Sequence, residues 1–364
     1  MDEEYVRWIK LTDINFWIVI LVLILYLIIL SINLNYKLRL NVLFISLLVS
    51  ITINNLIRFF LLYEIVFIFI MFSILILGYR FERLIAGFII MFYSFIFSSP
   101  TLIILMIFDY SFLIKSWLSY SFLINYFFFG SFIVKFPIFG FHYWLPVAHV
   151  EASTAGSIIL AGVLLKLGGL GLFYLINYIN FIVKFHWIRF CISLLILIIL
   201  RIRDLKIIIA YSSVAHMRLV FYVLTLGTYI GKKGALIMIF YHGVISPLIF
   251  WVVGILAWWK TRSLIVVKFI YFSYCFLLIL FFLLILNIGF PPFLGFIREI
   301  LMLKSLIVLK LILFLIIFRV LFSCYYNIYL FWCFNNFIGI IFKINFYFLD
   351  VFIFILVSFM FTLY

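Results

Sequence analysis

The chain has 364 residues, of which 70% are hydrophobic and 10% charged, with a formal net charge of +15. Apolar runs longer than ~18 residues recur along it, which excludes a soluble globular core and marks a polytopic helical membrane protein. A membrane β-barrel is excluded too, since its strands would be short and alternating, and no interval between runs is long enough for a soluble nucleotide-binding domain.

The first ten residues, MDEEYVRWIK, carry three acids, unlike a secretory signal or an Arg-rich transit peptide. Spanning units are predicted at about 15–34, 40–54, 55–78, 85–108, 118–146, 153–177, 186–201, 206–229, 234–259, 265–303, 306–335 and 345–363. The fold class expected is therefore an all-α polytopic membrane protein of about twelve transmembrane helices. Asn54–Asn55 is the only polar break between the second and third units and predicts a tight bend.

Two units are interrupted alike. In 118–146, Lys135 precedes Pro137 and Gly140; in 265–303, Gly289-Phe290-Pro291-Pro292 precedes Gly295 and Glu299. Proline removes a backbone donor and clashes with the preceding turn. Broken helices survive in membranes where protein or a wet cavity surrounds them, and matching breaks in two halves point to an inverted repeat with its site near the midplane. The division read from this is an N-terminal region with one helix (1–39), two half-channels (40–177 and 178–335) and a C-terminal helix (336–364).

Basic residues cluster between runs: Lys37 and Arg39, Arg80 and Arg83, Arg201 to Lys206, Lys232 and Lys233, Lys260 and Arg262. Lipid headgroups are the partners expected of them, not nucleic acid. Because they fall in successive loops on both sides, they do not fix orientation. The four cysteines (Cys191, Cys275, Cys324, Cys333) are scattered, which suggests neither a disulfide framework nor a metal site. Abundant Phe, Ile, Leu, Tyr and Asn hint at an AT-rich coding genome such as an organelle's.

Ionisable residues inside apolar runs are costly, roughly 2.5–3.5 kcal/mol each on insertion scales, and read as functional. Lys135 lies nine residues before Trp144, read as an interface marker. At helical rise that is ~14 Å, near mid-bilayer depth. Lys166 is deep in the next unit. Each is a candidate proton carrier, its charge opposed by desolvation and favoured by a nearby carboxylate. A fixed ion pair is the structural alternative. Glu64 is the only acid in its run, and Arg58 lies on another face, so Lys135 is its expected partner. His216 and His242, with Ser212, Ser213 and Ser246, are either hydrogen-bonded core residues or organisers of a water chain. His142 and His149 are expected at the membrane boundary in packing roles. Glu299 is the candidate exit group, or a plain end-of-helix carboxylate. Gly168-Gly169 is expected to weaken its helix and admit water or a bend.

"VKFPIFGFHYWLPVAHVEASTAGSIILAGVLLKLGG", "RDLKIIIAYSSVAHM", "YHGVISPLIF" and "FPPFLGFIREI" resemble the antiporter-like membrane-arm subunits of NADH:ubiquinone oxidoreductase, respiratory complex I, and of Mrp-type antiporters. The resemblance runs from about Asn41 to Tyr364 and is most specific in the first stretch. It implies a proton-translocating subunit of the mitochondrial inner membrane that couples electron transfer to pumping and binds no cofactor itself. FMN, iron–sulfur clusters and ubiquinone would be held elsewhere in the complex. It implies a pathway through Glu64, Lys135, Lys166, His216, His242 and Glu299, and partners among the membrane-arm subunits, especially subunits 2 and 5, besides lipid. A terminal glutamate, Glu299, fits the subunit 4 branch, where subunits 2 and 5 usually carry lysine. The family pattern has four helices before the glutamate and this chain has two, so an N-terminal pair is expected to be missing. Val147, Arg218 and Arg298 depart from the family's usual residues. The alternatives are an Mrp-type antiporter subunit acting outside a redox enzyme, and a structural subunit with an inactive channel.

Overall fold

A computed structural model of the chain describes residues 2–32, 37–53, 56–78, 82–107, 130–138, 140–179, 198–199, 201–258, 270–271, 274–291, 293–307, 313–335 and 340–341. The predicted stretches 118–129, 186–197 and 345–363 lie outside the described residues, as do Asn54, Asn55, Arg80, His186, Cys191, Lys260 and Arg262.

The chain divides into two compact units, Met1–Val183 and Lys184–Tyr364. The first contains α1 (Asp2–Ile32), α2 (Lys37–Thr52), α3 (Leu56–Leu77), α4 (Arg83–Ile107), a helical segment 130–135, α5 (Trp144–Glu151), α6 (Thr154–Ile159), a π turn (Leu160–Leu164) and α7 (Leu165–Ile179). The second contains α8 (Leu205–Thr225), α9 (Tyr229–Trp258), α10 (Tyr274–Ile288), α11 (Leu294–Ile307) and α12 (Leu313–Asn335). Extended pairing among the described residues is limited to a two-residue parallel bridge, Ile270–Tyr271 with Ile340–Ile341. Helices dominate because a backbone in lipid must satisfy its own N–H and C=O groups. Among the described residues, five helices are long and apolar enough to cross a membrane: Ile57–Ile76, Arg83–Met106, Thr154–Ile176, Leu205–Thr225 and Tyr229–Gly254. The protein is an all-α multi-pass membrane protein.

Among the described residues, most predicted elements recur with shifted ends. α1 starts at Asp2 rather than near residue 15. Hydropathy marks the stretch fit for lipid, and a helix continues past it wherever its turns still close. The unit predicted over 265–303 is two helices, α10 and α11, separated by the Gly289 break.

In the first unit, residues 154–173 form a helical stretch that is buried throughout and, Lys166 apart, free of charge. α1, α3 and α5 pack against its α6 portion. α4 is the opposite case, with Phe88, Phe92 and Phe95 exposed to 71%, 66% and 75%. Such a face suits hydrocarbon rather than water.

The packing of α7 relies on missing side chains. A Cβ on Gly171 would run into the Phe132 ring, and one on Gly168 would sit 3.0 Å from the Tyr63 hydroxyl. Small residues of this kind let membrane helices approach closely. The helix continues unbroken through Gly168 and Gly169, and its irregularity lies upstream in the π turn. The expected bend there is therefore absent, and Gly168 and Gly171 instead admit neighbouring aromatic side chains.

Gly140 differs, with φ of +94° and nothing near its missing Cβ. Two alanine substitutions should thus destabilise for different reasons. Gly171→Ala should cost ~1–3 kcal/mol through overpacking, and Gly140→Ala ~1–2 kcal/mol through backbone strain. Adding Phe132→Leu should recover much of the first loss and none of the second, as read from thermal unfolding of the detergent-purified assembly.

Candidate functional site

Lys135 ends the helical segment 130–135, where Phe136-Pro137 stops the helix; its backbone closes with Phe136 N donating to Phe132 O at 2.8 Å. A cation is favoured at that end by the helix dipole. The side chain is 1% exposed, and its Nζ donates to a Glu64 carboxylate oxygen on α3. Glu64 is 17% exposed, so the pair opens only from the carboxylate side. Three rings on the same face of α3 surround the ammonium. Its Nζ lies 4.2 Å from the centroid of Tyr63, 4.7 Å from that of Phe67 and 6.0 Å from that of Phe60.

Trp144 fastens the far side of this break. It is buried, and its Nε1 donates to the Val134 carbonyl at 2.9 Å. The ring packs edge-on against Phe67, centroids 5.7 Å apart. The predicted ruler from Lys135 to Trp144 therefore fails. Residues 136–138 and 140–143 are not helical, so a rise per helical residue does not apply, and Trp144 is tied to the residue preceding Lys135. The inaccessibility of Lys135 stands on burial, not on that distance.

Lys166 is fully buried, and its Nζ donates to the Ala161 carbonyl inside the π turn. The side chain reaches back over the turn preceding its own Cα, as helical side chains do. π turns inside α-helices often occur at functional positions. A backbone carbonyl can hold an ammonium as a dipole without taking its proton.

In the second unit, His216 on α8 and His242 on α9 are brought together, ring centroids 5.3 Å apart, and both are buried. The neighbouring serines bond elsewhere. Ser212 and Ser213 donate to Ile209 O and Ala210 O, and Ser246 to His242 O, each within its own helix. This local back-bonding uses each hydroxyl's proton and leaves its lone pairs free to accept. Arg218 on α8 is also fully buried.

The second break is built around Arg298 and Glu299. Gly289 has φ of +83°, and its position keeps α11 close: a Cβ there would sit 3.0 Å from Gly295 O and 3.4 Å from the Glu299 carboxyl carbon. Arg298 is fully buried. Its Nε donates to Gly295 O at 3.2 Å and its Nη2 to Asn287 O at 3.4 Å, and its guanidinium lies 4.2 Å from the Tyr241 ring centroid. Asn287 O belongs to the last turn of α10, where carbonyls lack helical partners. Arg298 thus clamps both sides of the break. Tyr241 adds to the clamp by donating to Leu286 O at 2.8 Å.

Several polar residues of these sites escaped the sequence reading. Lys206, grouped with loop cations, is 1% exposed in the first turn of α8. Its place after Asp204, which precedes the helix, was the available signal. His149 and Glu151, expected near a boundary or unremarked, are buried at 0% and 3%. Asn287 donates to Tyr326 and Asn327 of α12 at 3.2 and 3.3 Å; two asparagines in apolar runs could have been paired from sequence. Tyr63, beside Glu64, gave no signal beyond adjacency. Among the described residues no group of three or more His, Cys, Asp or Glu is placed to hold a metal ion.

The profile of a family described as NADH:quinone oxidoreductase/Mrp antiporter, transmembrane, matches residues 53–324. The NADH-ubiquinone oxidoreductase chain 4 of Ceratitis capitata is 35% identical over 87% of this chain and 75% of that protein. That of Apis mellifera ligustica is 37% identical over 84% of this chain and 74% of that one. Among solved structures, a chain of respiratory complex I from Thermus thermophilus superposes with a TM-score of 0.72 at 20% identity, covering 91% of this chain and 75% of that chain. A chain of the Mrp complex from Dietzia sp. DQ12-45-1b superposes with a TM-score of 0.74 at 13% identity, covering 89% and 64%. The two structural likenesses speak for the fold.

The burial of the Glu64–Lys135 pair yields a stability test. Removing one partner, as in Lys135→Ala or Glu64→Ala, should cost ~3–5 kcal/mol by stranding the other charge, whereas replacing both with apolar residues of similar volume is often close to neutral. Glu64→Leu/Lys135→Met should therefore restore the level of assembled protein on native electrophoresis that either alanine variant loses.

Proposed function

From the premise that the chain belongs to the NADH:quinone oxidoreductase/Mrp antiporter membrane-subunit family, we propose that it is a proton-translocating membrane-arm subunit of respiratory complex I. Curated relatives named as chain 4 of that enzyme, at 35% and 37% identity over most of the chain, support this branch over an Mrp-type antiporter. In this reading it works beside other membrane-arm subunits, including subunits 2 and 5, in the mitochondrial inner membrane. Redox chemistry on FMN, iron–sulfur clusters and ubiquinone belongs to other chains of the enzyme.

The observation that carries the proposal is a buried lysine hydrogen-bonded to a partly exposed carboxylate at a helix break. A pair that served only packing could be replaced by two apolar residues of similar volume at little cost, and pumping would not depend on it. A titrating pair at a break can exchange its proton when the carboxylate is approached or withdrawn. In the first unit, Glu64 and Lys135 form that pair, and Lys166 is a second buried carrier held by a carbonyl that cannot accept its proton. In the second unit, His216 and His242 are groups able to take and give protons near neutral pH, and Glu299 is the carboxylate for release. Arg218 and Arg298 stay charged throughout and set the field those groups feel.

Lys135→Met keeps the volume and removes the titration. The assembled variant should lose most proton uptake, and NADH oxidation should slow with it because the two are coupled. The measurement is quinone reduction followed together with proton uptake in sealed vesicles. A normal ratio and rate in the assembled variant would leave Lys135 as packing and sink the proposal. Copurification without flavin and iron–sulfur subunits would instead favour an antiporter acting outside a redox enzyme.

A further inference from the structure

The Lys135 ammonium has two sets of partners, and only one of them is an acid. We propose that Tyr63, with Phe67 and Phe60, forms an aromatic seat that holds the Lys135 cation whenever Glu64 is protonated or withdrawn, making Tyr63 and Phe67 positioning residues of the proton switch. This rests on the reading of Glu64 and Lys135 as a titrating pair.

The geometry is specific. Residues 60, 63, 64 and 67 share one face of α3 at helical spacing, so carboxylate and rings converge on the same ammonium. Centroid distances of 4.2 and 4.7 Å fall within the ~6 Å range where the negative ring face attracts a cation, and desolvation strengthens that attraction. The third ring, Phe60, closes the far side at 6.0 Å.

The two nearer rings are fixed in place. Tyr63 is fully buried and stacks on Phe132, with centroids 6.0 Å apart and planes within 2°. Phe132 lies one turn before Lys135, so the ring that supports Tyr63 rides on the lysine's own helix. Phe67 is held edge-on by Trp144, which is itself tied to Val134. The Tyr63 hydroxyl lies against Gly168 on α7, two residues beyond Lys166. Phe59 of α3 also stacks on Tyr63, centroids 6.1 Å apart, and the other anchors belong to the helix break or to the Lys166 helix.

The chemistry of the two partner sets differs. A carboxylate attracts the ammonium and can take a proton. A ring face attracts it and has no place for the proton. When Glu64 is neutralised, its attraction vanishes, and without the rings the cation would face bare hydrocarbon. With them Lys135 keeps its charge and its position until a proper acceptor is presented. The seat thus separates the protonation of Glu64 from the discharge of Lys135.

The test compares Tyr63→Phe, Tyr63→Leu, Phe67→Leu and Lys135→Met in the assembled complex. Protons taken up per NADH oxidised in sealed vesicles is the readout, with assembly followed by native electrophoresis. Tyr63→Phe keeps the ring face and should stay within about twofold of the natural protein, whereas both leucine variants should lose uptake on the order of tenfold. Leucine variants that pump like Tyr63→Phe would overturn the seat, as would a Tyr63→Phe loss equal to that of Tyr63→Leu. Should the leucine variants fail to assemble, Glu64→Leu/Lys135→Met/Tyr63→Leu decides. Assembly regained in that background ties the ring to the cation, and continued failure makes the ring mere packing and overturns the inference. Normal pumping by Lys135→Met would sink the underlying proton switch, while its loss alongside normal leucine variants sinks the seat alone.

Discussion

An ammonium removed from water must be surrounded by groups that replace its hydration, and much of the first unit is arranged to do that for two lysines. Lys135 and Lys166 are 1% and 0% exposed. One is met by a carboxylate and three ring faces, the other by a carbonyl within a π turn. The helix break, the close approach of α7 at Gly168 and Gly171, and the Trp144 anchor all serve that placement. An isolated charge in such surroundings would neutralise or unfold its helix. The partners are therefore conditions for the fold as well as for any proton chemistry.

The two breaks solve the same backbone problem with different side chains. An interrupted helix leaves carbonyls without partners at one end and N–H groups without partners at the other. At the first break Trp144 supplies a donor to Val134 O while Lys135 places positive charge at the helix end. At the second, Arg298 donates across to Asn287 O and back to Gly295 O, and Tyr241 donates to Leu286 O. Glycines with positive φ, Gly140 and Gly289, turn the chain in each case. Proline and glycine make the break, and a donor-bearing side chain makes it survivable in an apolar interior.

How much of this was legible follows from the range of each signal. Hydropathy acts over windows of a turn or more, so the spanning helices were readable while their ends were not, as the start of α1 at Asp2 shows. The breaks were readable because Pro137, Gly140, Gly289 and Pro291 act locally. The Glu64–Lys135 contact could be inferred by elimination, since Glu64 is the only acid in its run. The ring cluster could not: in a chain with 23% aromatic residues, Tyr63, Phe60 and Phe67 carry no distinguishing mark until the lysine is folded against them. Lys206 was misplaced because composition alone cannot tell a loop cation from one tucked into the first turn of a helix. The π turn was likewise invisible, for Leu160–Leu164 reads as ordinary helix.

The units also differ in the kind of charge they keep. In the first, the buried cations are lysines, compact ammonium groups that can give up a proton when their surroundings change. In the second, Lys206 is buried in the first turn of α8, and the fully buried cations on the helices of the candidate groups are Arg218 and Arg298, whose guanidinium does not deprotonate in a protein. Arg298 is further fixed by two carbonyls and the Tyr241 face, so it contributes a standing positive field at the break where Glu299 also lies. A standing cation favours an ionised carboxylate beside it and opposes added charge on a nearby imidazole. Glu299 and the His216–His242 pair, the groups proposed to titrate there, thus share their unit with cations that do not titrate. The arginine supplies a permanent charge at the second break, where the first break carries a lysine paired with a carboxylate.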